Sequence, residues 1–370
     1  MNTAHAIADR AERGATSPPP PPSPPAPAPA PAGPRSAART VVERQGAALR
    51  AVLAPFVAPG APYALLDFPD HANIGDSAIW LGETAVLREL AGRPPAYACS
   101  TRNLDVDRLR RAVPEGPILL HGGGNFGDIY ERHQGFREHV MATFPDRTIV
   151  QLPQTIHYRD PARIAATARA LTAHGDVHLL VRDRRSLALA ERHFGGAVLA
   201  PDCAPAMGPL VRRPAETDTL LMLREDVERV RRDGMEGLSD AAPVDWPAED
   251  AAFHARARRG AVARCLLTGR VGRDARRVVL CETLARRRLR RAVRLLSRGR
   301  FVVTDRLHGH ILCLLLGIPH VALDNDYGKV HAYAREWTHE AATVRLATGP
   351  QEAAAALDDL RAAFPQEARS

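Results

Sequence analysis

Short apolar runs alternate with longer stretches of helical periodicity along most of this 370-residue chain. In the first half, the apolar runs predict strands at residues 63–67, 96–100, 118–121, 148–152, 177–182 and 197–200. Between them, apolar positions at helical spacing predict helices at residues 76–90, 106–113, 130–143, 161–173 and 184–194. This alternation is typical of a parallel, doubly wound α/β sheet.

A second α/β unit follows a proline-punctuated bridge at residues 201–214. Its pattern predicts strands at residues 220–223, 301–304 and 319–323, helices at 309–316 and 330–338, and a final helix at 350–363. We therefore predict two Rossmann-like domains in a GT-B-like arrangement, with a ligand cleft between them at the carboxyl ends of the strands. The predicted boundaries are an N-terminal domain at 41–205, a linker at 206–217, a C-terminal domain at 218–345, and a C-terminal helix and tail at 346–370.

The first 40 residues are rich in proline and alanine. Eleven of the 31 prolines lie between Pro18 and Pro34, where they alternate with small residues. Such a sequence buries little apolar surface and favours an extended polyproline II conformation. We predict a disordered tail at residues 1–40, with the first helix beginning near Thr40.

The composition is that of a soluble globular protein, with 45% apolar and 25% charged residues. No apolar run reaches the length of about 18 residues that a transmembrane helix needs, and the N-terminus lacks the apolar core of a secretory signal. Five scattered cysteines without a CxxC pair indicate a reducing compartment and give neither a zinc site nor a disulfide framework. We expect a cytoplasmic protein.

Two loops of the first half combine glycine with polar residues directly after predicted strands. Residues 71–77 read HANIGDS before a helix, whose N-terminus can bind an anion; Asp76 is either the cap of that helix or a functional carboxylate. Residues 121–128 read HGGGNFGD, in which Gly122, Gly124 and Gly127 match the pattern of a dinucleotide site. The next strand ends in QLPQT without the acidic residue that binds ribose, so we interpret these glycines as a loop that lets backbone approach a phosphate or sugar.

Cations and imidazoles follow other predicted strands. Arg182 ends one strand, and residues 304–310 read TDRLHGH between a strand and an apolar helix. Arg306 and His308 suit the binding of an anion beside a general acid or base. His308 and His310 have the spacing of a metal pair, but no third ligand is near in sequence and we expect no metal. Lys329 is the only lysine among 50 basic residues, so we predict that its compact ammonium faces the cleft.

Together these segments resemble the polysaccharide pyruvyl transferase family, and its bacterial exopolysaccharide branch in particular. The segments that carry the resemblance run in order from about residue 61 to residue 338. They are NIGD at 73–76, GGGNFGD at 122–128, LPQT at 152–155, RD at 182–183 with Ser186, PD at 201–202, TDRLHGH at 304–310, GIP at 317–319, and DN at 324–325 with YGK at 327–329.

The resemblance implies transfer of pyruvate from phosphoenolpyruvate onto two hydroxyls of one sugar, in a polysaccharide or its lipid-linked precursor. The products are a cyclic ketal and phosphate, and no cofactor is needed. By the same resemblance Arg306 and His308 are catalytic, with His308 as the acid, and Asp76 is a base or orients the acceptor or Arg182. We assign donor binding to Arg182, Arg306, Lys329, Gly123 and Gly124, and acceptor binding to Asn73, Asn125, Asp128, Gln154 and Asn325.

The positive charge is concentrated in one segment. Sixteen arginines and two acids lie between Arg256 and Arg300, which leaves a net charge of −6 on the rest of a chain whose total is +8. The helix-compatible part from Arg286 to Arg300 is either a solvated helix face or a peripheral contact with an anionic, lipid-linked acceptor at the inner face of the membrane. A charge confined to one segment does not argue for nucleic-acid binding, and we expect no nucleic-acid partner.

Two other functions remain open from the sequence. The first is a GT-B glycosyltransferase with a nucleotide-sugar donor, for which Asp305 and Asp324 could bind the ribose. The second is a non-catalytic, basic nucleic-acid-binding protein. The second does not explain why polar residues gather at the ends of successive strands.

Overall fold

Two parallel β-sheets, one from each half of the chain, form the fold of the computed structural model. The structure describes residues 34–224, 234–239, 242–269, 272–324 and 328–365. The strands are β1 (Ala64–Leu66), β2 (Tyr97–Ala98), β3 (Ile118–Leu120), β4 (Gly123–Gly127), β5 (Ile149–His157), β6 (Val177–Val181), β7 (Val198–Leu199), β8 (Thr217–Met222), β9 (Gly299–Thr304), β10 (His320–Leu323) and β11 (Val344–Ala347). The α-helices are α1 (Pro34–Leu53), α2 (Ile74–Ala91), α3 (Val106–Ala112), α4 (Glu131–Thr143), α5 (Pro161–His174), α6 (Arg184–His193), α7 (Ala251–Leu267), α8 (Arg273–Ser297), α9 (Leu307–Leu316), α10 (Lys329–Trp337) and α11 (Pro350–Ala363).

The first sheet has the strand order β2-β1-β3-β5-β6-β7, and β4 pairs with β5 beside this path. Alternate residues of its central strands enter two different cores, with Leu65 and Leu119 on one face and Leu66 and Leu120 on the other. A strand that is buried on both faces needs apolar residues at every position, which explains the continuous apolar runs. The predicted parallel α/β class is confirmed. The strands predicted at 63–67 and 96–100 are shorter than expected.

The second sheet has the order β11-β10-β9-β8, and its pairs are parallel. Strand β8 begins at Thr217, inside the predicted linker. Strand β11 was not predicted from the sequence, because its first three residues are only half-buried and give a weak apolar pattern. The predicted boundary after residue 345 falls within this strand.

Helices tie the two sheets together. Phe253 of α7 and Val278 and Leu284 of α8 belong to the same core as Leu65 and Leu119 of the first sheet. Part of the predicted C-terminal domain at 218–345 therefore packs on the first sheet, and both sheets belong to one compact unit. The division into two GT-B-like domains stays a prediction.

Helix α1 begins earlier than the sequence suggested. It starts at Pro34, a residue well suited to the first turn of a helix, and Ala38 and Val41 pack in the core of the second sheet. Leu49 and Leu53 pack in the core of the first sheet. The prediction of a tail through residue 40 and a helix start near Thr40 is therefore wrong for residues 34–40, and residues 1–33 lie outside the described part of the chain.

The glycine-rich segment that was predicted as a loop is strand β4. Gly127 has a φ of +127°, and a Cβ built there would lie 1.7 Å from the carbonyl oxygen of His157. A Cβ on Gly122 would lie 2.7 Å from the carbonyl oxygen of Pro153. These glycines are required because the backbone of this segment lies directly against β5 and its neighbouring residues.

Helix α8 carries most of the basic segment, and one of its arginines is structural. Arg288 is fully buried and donates to both carboxylate oxygens of Glu249, at 2.6 and 3.0 Å, and to the carbonyl oxygen of Pro69 at 2.8 Å. It cannot belong to the solvent-facing or membrane-facing surface predicted between Arg286 and Arg300. Among the described residues, no helix is long and apolar enough to span a membrane.

Two histidines, one in β10 and one in α9, form a buried hydrogen-bonded chain. His320 Nδ1 bonds the carbonyl oxygen of Ile318 at 2.8 Å, its Nε2 lies 2.7 Å from His310 Nδ1, and His310 Nε2 lies 2.9 Å from the Thr338 hydroxyl. Burial lowers the pKa of His320 to about 4 and that of His310 well below its usual value. His310 is thus bound within the core by His320 and Thr338.

We predict that the free energy of unfolding falls as the pH is lowered from about 6.5 towards 4. Both imidazoles are neutral in the folded protein, so the unfolded chain binds more protons in this interval and acid favours unfolding. For His320 the loss should reach roughly 3 kcal/mol. Urea unfolding across this pH range measures it, and the His320→Gln variant should show a flatter pH dependence than the wild type. If the free energy of unfolding falls equally with pH in the wild type and in His320→Gln, the pH dependence does not come from His320.

Candidate functional site

A cavity of about 410 Å³ opens at the carboxyl ends of strands from both sheets. Its lining residues come from the loop after β1, from β4 and the start of α4, and from the segments that follow β6, β8, β9 and β10. They are His71, Ala72, Asn73, Asp76, Gly124, Asn125, Tyr130, His133, Arg182, Arg224, Asp245, Trp246, Arg306, Leu307, His308 and Lys329. Eight of the predicted site residues are therefore brought together.

A buried carboxylate, that of Asp202, contacts two side chains of this cavity. It accepts a hydrogen bond from Arg182 Nη1 at 2.5 Å and lies 3.3 Å from His308 Nε2. Burial opposes the charge of Asp202, but His308 and Arg182 together hold the pKa of its carboxyl well below the usual value. Asp202 therefore stays ionised and fixes the orientation of both neighbours. Asp202 belongs to the PD motif at 201–202, but the sequence around it does not indicate that it contacts Arg182 and His308.

Arg182 and Lys329 both lie close to the bare backbone of Gly124. A Cβ on Gly124 would lie 3.2 Å from Arg182 Nη2 and 3.7 Å from Lys329 Nζ. Arg182 is fixed further by a hydrogen bond from its Nε to the hydroxyl of Thr155 at 2.9 Å. The missing side chain leaves room between a guanidinium and an ammonium, which is an arrangement suited to an anion.

His308 lies in the first turn of α9, against the start of α2. A Cβ on Gly75 would lie 2.4 Å from His308 Nδ1. Gly75 is therefore needed so that the imidazole can reach Asp202 with its Nε2 atom. The sequence does not show this close approach, because Gly75 and His308 are more than 200 positions apart.

Arg306 forms a two-pronged ion pair with Asp245. Its Nε and Nη2 atoms donate to the two carboxylate oxygens of Asp245, each at 2.5 Å. Asp245 lies in a charge-rich stretch without a recognisable motif, and it was not predicted as a site residue. The two hydrogen bonds to Asp245 hold the guanidinium of Arg306 in one orientation at the wall of the cavity.

Asp76 lies in the first turn of α2, but it is not the cap of this helix. That cap is Asn73, whose side-chain oxygen accepts a hydrogen bond from the amide of Gly75 at 3.1 Å. Asn73 Nδ2 donates to Asp76 Oδ2 at 2.9 Å, and His71 Nε2 lies 3.5 Å from the same oxygen. Burial alone would raise the pKa of the Asp76 carboxyl, but His71, His308 and two further imidazoles lower it. Asp76 is therefore an ionised group facing the cavity.

A second histidine–carboxylate pair stands beside Asp76. His133 lines the cavity, and its Nδ1 lies 2.9 Å from Asp67 Oδ1. Asp67 directly follows β1 and has a φ of +66°, an unusual conformation for a residue with a side chain. The sequence alone does not indicate this pair, because His133 is in a helix without a motif and the backbone of Asp67 is set by the tertiary structure.

Some predicted site residues support the cavity from behind. Gln154 is fully buried, and its amide donates to the side-chain oxygen of Asn125 at 2.8 Å, which fixes that residue in the lining. Asp128 accepts hydrogen bonds from the amides of Arg159 and Asp160 and does not line the cavity. Gly123 is not in the lining either; a Cβ there would lie 3.5 Å from Asp76 Oδ1. Asn325 lies outside the described residues.

The arrangement defines an α/β protein that gathers cations, imidazoles and carboxylates in one cavity at the strand ends. The polysaccharide pyruvyl transferase family model matches residues 73–327. The chain is 30% identical over 283 residues to EpsO of Bacillus subtilis, covering 76% of this chain and 86% of EpsO. It is also 30% identical over 293 residues to Pyruvyl transferase 1 of Schizosaccharomyces pombe, covering 75% of this chain and 69% of that protein.

The chain therefore belongs to the polysaccharide pyruvyl transferase family, as the sequence motifs predicted. The family assignment makes it a pyruvyl transferase that acts in the pyruvylation of polysaccharide. A solved structure of a functionally uncharacterised protein from Klebsiella pneumoniae has the same general fold, with a TM-score of 0.55 and 16% identity, covering 82% of this chain and 99% of that one.

We predict that Gly75→Ala lowers the rate of pyruvyl transfer about 100-fold, because a Cβ 2.4 Å from Nδ1 pushes the ring of His308 away from Asp202. Gly135→Ala in α4 is the matched control, since a Cβ there meets nothing within 4 Å. Initial rates at saturating substrate measure the effect, and thermal unfolding checks that both variants fold. A Gly75→Ala enzyme with wild-type kcat would show that the position of His308 is unimportant.

Proposed function

We propose that the protein transfers pyruvate from phosphoenolpyruvate onto two hydroxyls of one sugar, forming a cyclic ketal and releasing phosphate. The observation that carries this proposal is the convergence of Arg182, Arg306, Lys329 and His308 on one cavity. Phosphoenolpyruvate is a small molecule with a carboxylate and a phosphate. It needs several cations close together and an acid near its double bond.

The donor is bound mainly by charge-assisted hydrogen bonds. Arg182 and Lys329 flank the open space at Gly124 and bind one anionic group of phosphoenolpyruvate there. Arg306 binds the other group, and the incoming anion competes with Asp245 for its donors. This pairing keeps the guanidinium in place before the donor arrives.

The reaction needs one proton delivered to carbon and two removed from oxygen. His308 protonates C3 of phosphoenolpyruvate, which turns the methylene into a methyl group and leaves C2 as an oxocarbenium-like centre. The first sugar hydroxyl attacks C2 and forms one C–O bond. Phosphate then leaves as the C2–O bond to it breaks, and the second hydroxyl closes the ring. One of the two hydroxyl protons returns to His308 and replaces the proton that it gave to C3. The other hydroxyl proton leaves with the phosphate.

Asp76 is the base that removes a proton from the acceptor. It faces the same cavity as His308 and is kept ionised by the surrounding imidazoles. Asn73 and Asn125 offer amide groups to the other sugar hydroxyls, and Gln154 and Asp128 keep the supporting backbone in place. Asn325 stays a prediction on the acceptor side.

We place this reaction in the cytoplasm, at the inner face of the membrane when the acceptor is lipid-linked. The five cysteines are free and buried, which suits a reducing compartment. A peripheral membrane contact on α8 stays a prediction, and it excludes the buried Arg288.

The decisive experiment incubates the protein with phosphoenolpyruvate and candidate acceptor sugars. Phosphate release and the mass of the product are followed together, because a ketal retains the pyruvate carbon atoms on the sugar. We expect His308→Ala and Arg306→Ala to reduce both signals at least 100-fold while thermal unfolding still shows a folded protein. Full activity in either variant would overturn the assigned roles, and a product without pyruvate would overturn the reaction.

We predict that Lys329→Arg raises the KM for phosphoenolpyruvate about tenfold. A planar guanidinium is larger than an ammonium and does not fit the space between Gly124 and Arg182 in the same way. Arg335→Lys, an exposed exchange on the same helix, is the matched control and should leave KM unchanged. Equal KM values for the wild type and Lys329→Arg would remove Lys329 from the donor site.

A further inference from the structure

Five arginines of α7 and α8 converge on a second, smaller cavity beside the candidate active site. This cavity of about 230 Å³ is lined by Arg256, Arg287, Arg290, Arg291 and Arg294, together with Ala248, Asp250 and Phe253. Asp250 is the one acid in this lining, so five guanidinium groups face a single carboxylate. Its side chain also caps α7 by accepting a hydrogen bond from the amide of Phe253 at 2.6 Å. The lining therefore carries a large local excess of positive charge.

Two of these arginines are held in place by the fold. Arg291 donates from Nη2 to the carbonyl oxygen of Ala248 at 2.5 Å, and its guanidinium lies over the ring of Phe253, 5.0 Å from the ring centre. Arg287 lies across α7 at Gly260, where a Cβ would be 3.2 Å from Arg287 Nη2. Arg287 Nε and Arg291 Nη1 are buried, and within the described residues they have no hydrogen-bond partner.

The second cavity shares a wall with the candidate active site. Asp245 and Trp246 line the main cavity, whereas Ala248 and Asp250 line the arginine-rich one. Two residues of extended chain span at most about 7 Å, so the two cavities are close neighbours. The wall is fixed from behind, because Glu249 is held by the buried Arg288, which also binds Pro69 beside the main cavity.

We propose that the arginine-rich cavity binds a phosphate or diphosphate group carried by the acceptor, while the sugar to be modified occupies the main cavity. This proposal rests on the proposed function. The donor anions already have Arg182, Arg306 and Lys329, so the second set of guanidiniums serves another anionic group. Sugar hydroxyls are neutral and do not require it. Phosphate oxygens are the acceptors that clustered arginines bind best, through paired and charge-assisted hydrogen bonds.

The test compares two acceptors that differ only in charge. One is an oligosaccharide with a diphosphate ester at its reducing end, and the other is the same oligosaccharide as a neutral alkyl glycoside. The test variant is Arg290→Gln combined with Arg294→Gln, both exposed positions on α8. The matched control is Arg258→Gln combined with Arg259→Gln, which removes the same charge from exposed positions of α7 outside the cavity.

We expect the test variant to raise the KM for the diphosphate acceptor at least tenfold and to leave kcat and the KM for the neutral acceptor unchanged. The control should change neither KM. Equal increases for both acceptors, or no increase for the diphosphate acceptor, would overturn the proposal.

If the wild type transfers pyruvate to neither acceptor, the proposed function fails. The binding of methylenediphosphonate to the protein then tests the arginine-rich cavity by itself. Calorimetry should then show at least tenfold weaker binding in the test variant than in the control, and equal binding would overturn the site.

A third arm separates the acceptor from the membrane as the source of phosphate. Sedimentation with vesicles of neutral lipid and of anionic lipid is measured for the wild type and the test variant. If the test variant loses binding to anionic vesicles while its KM for the diphosphate acceptor stays at the wild-type value, the cavity binds lipid headgroups and the proposal is wrong. Unchanged vesicle binding with a raised KM supports a subsite for the acceptor.

Discussion

The candidate site depends on one buried negative charge, that of Asp202, and on the arginine and the histidine that contact it. Arg182 follows β6 of the first sheet, and His308 lies in the first turn of the helix after β9 of the second sheet. A buried carboxylate is strongly unfavourable unless it is paired, so both partners must be in place when the protein is folded. The pairing therefore connects the folding of the two sheets to the geometry of the cavity. The pairing with Asp202 also holds the side chains of Arg182 and His308 in fixed orientations.

Helix α2 makes this pairing sterically possible through two glycines on one face. Gly75 leaves room for the ring of His308, and Gly82, seven residues later, leaves room for the backbone after Asp202, since a Cβ there would lie 1.8 Å from the carbonyl oxygen of Cys203. The same helix begins at the Asn73 cap and presents Asp76 to the cavity. One helix thus places the carboxylate of Asp76 in the cavity and leaves room for the imidazole of His308.

The basic segment divides into arginines with different tasks. Arg288 is buried and stabilises the wall between the two cavities through Glu249 and Pro69. Arg277 donates to the backbone of Asn103 in the first half of the chain. The arginines around the second cavity converge on one place at the surface of the protein. A net charge summed over the segment conceals this division, because it counts a buried structural guanidinium and one that lines a cavity alike.

The sequence by itself determined the parallel α/β class, the order of most strands and helices, and the family. It did so because continuous apolar runs and motifs at strand ends are local patterns. It also located Arg182, Arg306, His308 and Lys329 as residues of one cavity, since the carboxyl ends of parallel strands share an edge. Strand β4 and the early start of α1 were not recognised, because a glycine-rich strand looks like a loop and a helix that begins in a proline-rich stretch lacks a clear signal.

Only the tertiary structure decided which groups pair inside the site. Asp202 with His308, Asp245 with Arg306, and Asp67 with His133 are each separated by about 60 or more positions. No local pattern reports such distances, because they result from how the helices pack the two sheets together. The left-handed backbone at Asp67 and the need for glycine at position 75 have the same origin. The sequence supplies the chemical groups, and the packing of distant segments determines which carboxylate holds which cation.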